Sequence, residues 1–350
     1  LYVVILHYYQ YIEYYLKETG GSKLNEYLTI FCMHGYLAVD VFFILSAFVI
    51  TLSSKKYFDQ SFELKNYKMF MQKRWIRIYP AYLIIAIYGY VVVENFHRTP
   101  NFIISLTLLN LLFGLSHILG HLWSLGAEWI TYLLYPIFYK FSMLTESKYW
   151  KYLLIILGLI VLYIVGVIWN KRIFSEYMLE VFQGYPALFR CFGDYLIGMG
   201  AYLIYRENKF TNLTNLLSSI AIALLIISAL FIPKADLVVV VGCTLLILNI
   251  CNDKSILAKL LASRVIYFLG LISYPLYLIN SLVFLQFDRI HVVLMDSFNI
   301  YNIYVLGIVF TALCVGLATL FTFYIESPII SFLNSVAKRP SLFRSSNSGK

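Results

Sequence analysis

Ten apolar runs of near-bilayer length, separated by short polar loops, constrain this chain more than any other feature. They fall at roughly 1–16, 36–52, 79–93, 123–144, 152–169, 185–205, 214–232, 237–251, 265–286 and 302–324. A helix needs roughly 20 predominantly apolar residues to cross a bilayer. A transmembrane barrel would alternate apolar and polar positions within short segments, whereas these runs are continuous. The expectation is an all-α, polytopic transmembrane helical bundle. Charged residues make up only 13% of the 350, against about 25% in soluble domains, so a water-soluble enzyme is excluded. The segment Phe102–Leu119 is apolar but ends in a Gly/His-rich stretch, Gly114 to His121, and reads as an interfacial or re-entrant helix. The chain starts at Leu1 inside an apolar run, so sequence is expected to precede it.

Charge sets the orientation. If the 53–78 loop, with Lys55, Lys56, Lys65, Lys68, Lys73, Arg74 and Arg77, is cytoplasmic, 18 of the 27 lysines and arginines lie in inside loops and 7 outside. The outside group includes Lys23, Arg98, Lys171 and Arg172, and the inside group includes Lys209, Lys254, Arg339, Arg344 and Lys350. The positive-inside rule then places both termini in the cytoplasm after ten spans. The net charge of +9 is thus accounted for by loops facing anionic lipid headgroups, and no nucleic-acid partner is expected. One membrane domain, 1–328, is followed by a polar tail, 329–350, expected to be cytoplasmic and disordered. Asn212-Leu213-Thr214 matches a glycosylation acceptor but faces the cytoplasm in this topology. The five cysteines have no paired metal spacing and read as small buried hydrophobes.

Ionisable groups in spans cost about 2.5–3.5 kcal/mol each on insertion scales, so each is a candidate for function. His7 sits in the first run and is suited to general-base work, or to a hydrogen bond with a neighbouring helix. Asp40, near the start of the second run, would orient such a histidine or sit solvated at a helix end. Arg74 and Arg77, at i and i+3, share a helix face and form a fork for phosphate oxygens, or anchor the chain among lipid headgroups. Glu128, one turn after Ser124, would bind a hydroxyl or accept a proton, or sit solvated in a first turn. No Gly-x-Ser-x-Gly elbow accompanies the serine, so no serine nucleophile is assigned. Arg190 and Asp194, at i and i+4, read as an intrahelical ion pair, with lining of a site as the alternative.

Taken in order, these segments resemble the acyltransferase-3 family of integral-membrane O-acyltransferases, over most of the chain from about His7 to Pro328. Gly35 to Ser46 is similar to that family's Gly-x-x-Gly-Val-Asp-x-Phe-Phe-x-Leu-Ser-Gly run, and Arg74-x-x-Arg77-Ile78-x-Pro80 to its paired-arginine motif. Trp123-Ser124-Leu125-x-x-Glu128, with Tyr132-Leu133 and Pro136, is the most specific piece. Leu269-Gly270-x-Ile272-Ser273-Tyr274-x-Leu276-Tyr277-Leu278 and Glu326-x-Pro328 complete the series. The family's usual arginine before the histidine falls before Leu1, Ala38 and Ala47 replace glycines, and Asn280 stands where many members carry histidine, so no role is transferred there.

The resemblance implies transfer of an acyl group, commonly acetyl, from acyl-CoA to a hydroxyl of a cell-surface glycan or lipid-linked saccharide. It implies a multi-pass protein of the cell membrane, with a bacterial inner membrane expected, no bound cofactor and no metal. Arg74 and Arg77 would hold the donor phosphates, His7 would be the base, Asp40 its charge-balancing partner, and Glu128 would shape the acceptor side. Trp123, Ser124, Arg190 and Tyr274 would line the site. The alternatives are a transporter or flippase for a lipid-linked sugar, with inverted repeats as its signature, and a structural membrane subunit.

Overall fold

The computed structural model describes residues 1–21, 24–59, 62–93, 99–115, 117, 119–145, 147–169, 177–207, 215–251 and 255–338. Among the described residues every regular element is helical. In order these are α1 (Tyr2–Thr19), α2 (Glu26–Met33), α3 (Leu37–Phe58), α4 (Leu64–Val93), α5 (Thr99–Leu106), α6 (Trp123–Ser142), α7 (Trp150–Tyr163) and α8 (Gly184–Arg206). They continue with α9 (Leu216–Ala229), α10 (Asp236–Ile250), α11 (Ile256–Leu261), α12 (Arg264–Leu271), α13 (Ser273–Phe298), α14 (Ile303–Phe321) and α15 (Ser327–Lys338).

Six of the described helices are long and apolar enough to cross a membrane: Glu26–Phe58, Leu64–Val92, Trp150–Val167, Gly184–Arg206, Ser273–Phe298 and Ile303–Ala337. The other four expected spans coincide with α1, α6, α9 and α10. α9 and α10 are apolar but have 14 and 15 residues, and at 1.5 Å per residue such helices fall short of a hydrocarbon core about 30 Å thick. α1 carries Glu13, Lys17 and Glu18, and α6 carries Glu128 and Lys140.

Three stretches differ from the sequence reading. The basic 53–78 loop is mostly helix: α3 runs on to Phe58, and α4 starts at Leu64 and passes through Lys73–Pro80 without a break. Helical spacing explains this, because Phe70, Ile78, Ala81 and Ile85 fall on one buried face while Lys68 and Lys73 stay exposed. Pro80 lacks the N–H that would bond the Ile76 carbonyl, and α4 accommodates that loss. The run 265–286 is split at Ile272, so the spanning helix starts at Ser273 and extends to Phe298. The tail is helical through Lys338 because Ile329, Phe332, Leu333 and Val336 continue an apolar stripe. The rest of it, 339–350, and the Asn212-Leu213-Thr214 triplet lie outside the described residues, as do Lys23, Arg98, Lys171, Arg172, Lys209 and Lys254.

Among the described residues of 102–119 no helix has spanning length. After α5 the chain reverses through Leu108 and Gly114, both at positive φ, with a short 3-10 turn between them at Asn110–Phe113. His117 Nε2 and the Tyr82 hydroxyl of α4, 2.7 Å apart, tie this return to the bundle. A second 3-10 turn, Gly120–Leu122, then leads directly into α6.

α8 is the centre of the bundle and packs on α3, α6, α7 and α10. Small residues let these helices approach, which matters in lipid, where no hydrophobic effect drives helices together. Gly198 marks the closest approach to α3: a Cβ there would overlap the Ile44 carbonyl oxygen and the Ala47 side chain. Gly198→Ala is expected to lower the melting temperature of the detergent-solubilised protein, in line with the roughly 1–3 kcal/mol cost of overpacking. An unchanged melting curve would mean that α3 and α8 do not touch there.

The other side of the bundle is organised by α1, which packs on α13 and α14. Tyr8, Tyr11, Phe287 and Phe310 interlock there, with ring centroids 4.9–6.2 Å apart. Gly35 lets the turn before α3 sit against α1, because a Cβ there would meet Leu6 Cβ at 2.7 Å and the Tyr2 carbonyl oxygen at 2.9 Å. These contacts bring the first turns of α1 and α3 next to α8 and α13.

Candidate active site

Two cavities adjoin where α1, α3, α4, α6, α8 and α13 converge. The larger, about 520 Å3, is lined by Ser46, Arg74, Arg77, Ser124, Glu128, Tyr132, Tyr274 and Tyr277, with apolar residues of α3 completing the wall. The smaller, about 230 Å3, is lined by His7, Gln10, Tyr36, His121, Trp123, Arg190 and Tyr277, among others. Val39 and Tyr277 line both and form their common wall. The Tyr277 hydroxyl donates to the His121 carbonyl and lies 2.6 Å from Ser124 Oγ.

In the larger cavity the charges face one another. Arg74, half-buried, stacks its guanidinium over the rings of Phe70 and Tyr132, at 5.3 and 5.7 Å. Glu128 accepts hydrogen bonds from Ser46 Oγ at 2.7 Å and from the Tyr132 hydroxyl. α6 begins at Trp123, so Glu128 lies beyond its first turn and is half-buried rather than solvated there. Ser124, one turn earlier, pairs with Tyr277 instead of Glu128. Tyr274 donates to the Ile78 carbonyl at 2.7 Å and so ties α13 to the arginine-bearing turn of α4. Five residues separated in sequence, Arg74, Arg77, Ser124, Glu128 and Tyr274, thus line one cavity.

The smaller cavity corrects two expected contacts. Asp40 does not orient His7. It forms a two-pronged ion pair with Arg190, Nε to Oδ1 at 2.7 Å and Nη2 to Oδ2 at 2.5 Å, both residues 1% exposed. Arg190 also donates to the Val181 and Tyr36 carbonyls at 3.0 and 3.1 Å, and its guanidinium lies between the rings of Trp123 and Tyr36, at 5.3 and 5.5 Å. Consequently the i, i+4 pair of Arg190 with Asp194 is not formed. A guanidinium fork matches a carboxylate from another helix better than one on its own, whose approach is limited by the helix surface. Asp194 is fully buried beside this pair, and no donor reaches either of its oxygens in hydrogen-bond geometry.

His7 instead pairs its Nδ1 with Oδ1 of Asn280, a residue to which the resemblance assigns no role. The sequence did hold a signal: Asn280 is an amide in the interior of an apolar run, on one helix face with Tyr277 and Phe284. Phe284 and His121 pack against the imidazole, each with a centroid 5.9 Å away. Trp123 and Arg190 share His7's cavity, whereas Arg74, Arg77 and Glu128 lie in the neighbouring one.

Among the described residues, no group of three or more histidine, cysteine or acidic side chains has the spacing to hold a metal ion, and the five cysteines are free. A family model described as "Acyltransferase domain" matches residues 1–326. No curated protein and no solved structure matches the chain.

Proposed function

Because the chain belongs to the acyltransferase-3 family and is an acyltransferase built as a multi-pass membrane protein, we propose that it moves an acyl group, acetyl in the first instance, from acyl-CoA to a hydroxyl of a surface glycan or related envelope molecule. The observation that carries this reading is the pair of adjoining cavities. Paired arginines and Glu128 line one, His7 lines the other, and Tyr277 is common to both.

In this reading the donor enters on the cytoplasmic side. Arg74 and Arg77 hold its phosphates, as guanidinium forks suit phosphate oxygens, and the flexible arm carries the thioester toward Tyr277 and Ser124. The acceptor hydroxyl lies in the His7 cavity. His7 takes its proton as the oxygen attacks the thioester carbonyl. The tetrahedral intermediate collapses, the carbon–sulfur bond breaks, and His7 returns the proton to the departing thiolate. Ser124, whose Oγ lies 2.6 Å from the Tyr277 hydroxyl, would turn to donate to the developing oxyanion, where low dielectric strengthens such a bond. Glu128, expected on the acceptor side, lines the cavity of the two arginines and in this reading closes the polar wall on the donor side instead, and Asp40 with Arg190 holds α3 against α8 beside the His7 chamber.

Replacing both arginines, Arg74→Gln with Arg77→Gln, is expected to raise the Kd for acyl-CoA about tenfold or more, since each hydrogen bond to a charged group contributes about 1.5–3 kcal/mol and 1.4 kcal/mol is tenfold. Equilibrium binding to the purified protein measures this. Unchanged affinity would return both residues to the role of membrane anchors. The function itself is tested by mass spectrometry of surface glycans from cells with and without the protein. Loss of one ester-linked acyl group supports the transferase, and loss of the whole glycan supports a transporter.

A further inference from the structure

We propose that Asn280 is the positioning residue that fixes which nitrogen of His7 is free to take a proton. This rests on the reading of His7 as the base. Asn280 is fully buried on α13. Its Nδ2 donates to the Tyr277 carbonyl at 2.7 Å and to the Leu276 carbonyl at 3.2 Å, so both amide protons are committed to the helix that carries it. Rotating the amide by half a turn would set Oδ1 against those two carbonyl oxygens and leave the two protons a single acceptor, the His7 ring nitrogen, so at least one is stranded at about 1–3 kcal/mol for a buried group left unsatisfied. Oδ1 therefore faces His7, and a carbonyl oxygen only accepts.

The consequence for the imidazole follows from donor and acceptor inventory. A ring nitrogen paired with an obligate acceptor must carry the hydrogen, so Nδ1 is protonated and Nε2 keeps its lone pair. Phe284, one turn beyond Asn280, and His121 hold the ring plane, and His7 borders the cavity assigned above to the acceptor. One face of α13 thus carries Tyr277 at the common wall, Asn280 at the imidazole and Phe284 behind it. A neutral amide performs here the orienting task that the sequence alone would give to Asp40, which Arg190 occupies instead.

The direct test is solid-state 15N spectroscopy of histidine-labelled protein in lipid bilayers, with the His7 signal identified by its loss in His7→Gln. A protonated Nδ1 with a bare Nε2 is expected in the unaltered protein. Asn280→Leu, which keeps the branching at Cγ, is expected to redistribute the tautomer and to lower kcat about tenfold to hundredfold with the donor KM unchanged, because general-base catalysis contributes about 10²–10⁴. Asn280→Asp, buried as the neutral acid, donates its carboxyl proton to the Tyr277 carbonyl, still accepts from Nδ1 through the other oxygen, and is expected to retain the tautomer and most of the rate. A protonated Nε2 in the unaltered protein overturns the proposal, as does full kcat in the leucine variant. If the expected tautomer is present but no protein transfers acyl groups, Asn280 keeps its positioning role and the assignment of His7 as base fails.

Discussion

His7→Ala is expected to abolish acyl transfer while the protein still accumulates in the membrane. His7 is half-buried on α1 and borders the smaller cavity, so removing the imidazole enlarges a polar chamber rather than opening a void in the packed interior. The helix is held independently, because Val3, Val4, Tyr11 and Ile12 remain buried in the main core and the aromatic cluster with Phe287 and Phe310 is untouched. Loss of a positioned base costs about 10²–10⁴ in rate, which for an ester-forming step leaves activity at background. The measurement is transfer of labelled acyl groups from acyl-CoA by membranes with matched amounts of protein. Activity within tenfold of the unaltered protein would remove His7 from the mechanism and leave it as a hydrogen-bonded structural histidine.

Arg190→Leu is expected to have the largest effect on stability, and the order of effects among its partners is itself diagnostic. Breaking a buried pair by removing one member costs about 3–5 kcal/mol, because an uncompensated charge stays inside. Removing Arg190 leaves two buried carboxyl groups, Asp40 and Asp194, with no cation between them. Asp40→Leu is milder, since Asp194 lies within reach of the freed guanidinium and can accept from it, restoring the intrahelical pair expected from the i, i+4 spacing. The double variant Asp40→Leu with Arg190→Leu is expected to recover part of the loss, as apolar replacement of a whole buried pair is often close to neutral. Thermal unfolding in detergent, followed by the fraction of monodisperse protein after heating, ranks the three. Equal melting temperatures for the two single variants would mean that Asp194 does not take over.

Much of the fold was legible because lipid imposes a simple rule. Every backbone polar group in the hydrocarbon must be satisfied within its own segment, so continuous apolar runs such as 36–52, 152–169 and 185–205 announce helices. The break in 102–119, where the chain turns at Leu108 and Gly114, was also visible, since glycine and histidine accumulate where a spanning helix would need apolar residues. Ends were harder. Lys73–Pro80 looked like a loop because its charge density is high, yet it belongs to a helix whose buried face runs through Phe70, Ile78, Ala81 and Ile85. The tail beyond Ser327 looked polar by count, while its apolar residues fall on one helical stripe.

Of the site, the sequence by itself determined which side chains are costly enough to need a reason: His7, Asp40, Arg74, Arg77, Glu128, Arg190 and Asp194 are ionisable groups in or beside apolar runs. It also determined that Arg74 and Arg77 share a face, because spacing along one helix is local geometry. Only the tertiary structure decided who meets whom. Asp40 lies 150 positions from Arg190 and Asn280 lies 273 positions from His7, and no periodicity in the chain encodes such pairings. They follow from how closely α3 approaches α8 at Gly198 and how α1 beds against α13. Those distances are set by the packing of small and aromatic side chains across helix interfaces, and that packing exists only once the bundle has assembled.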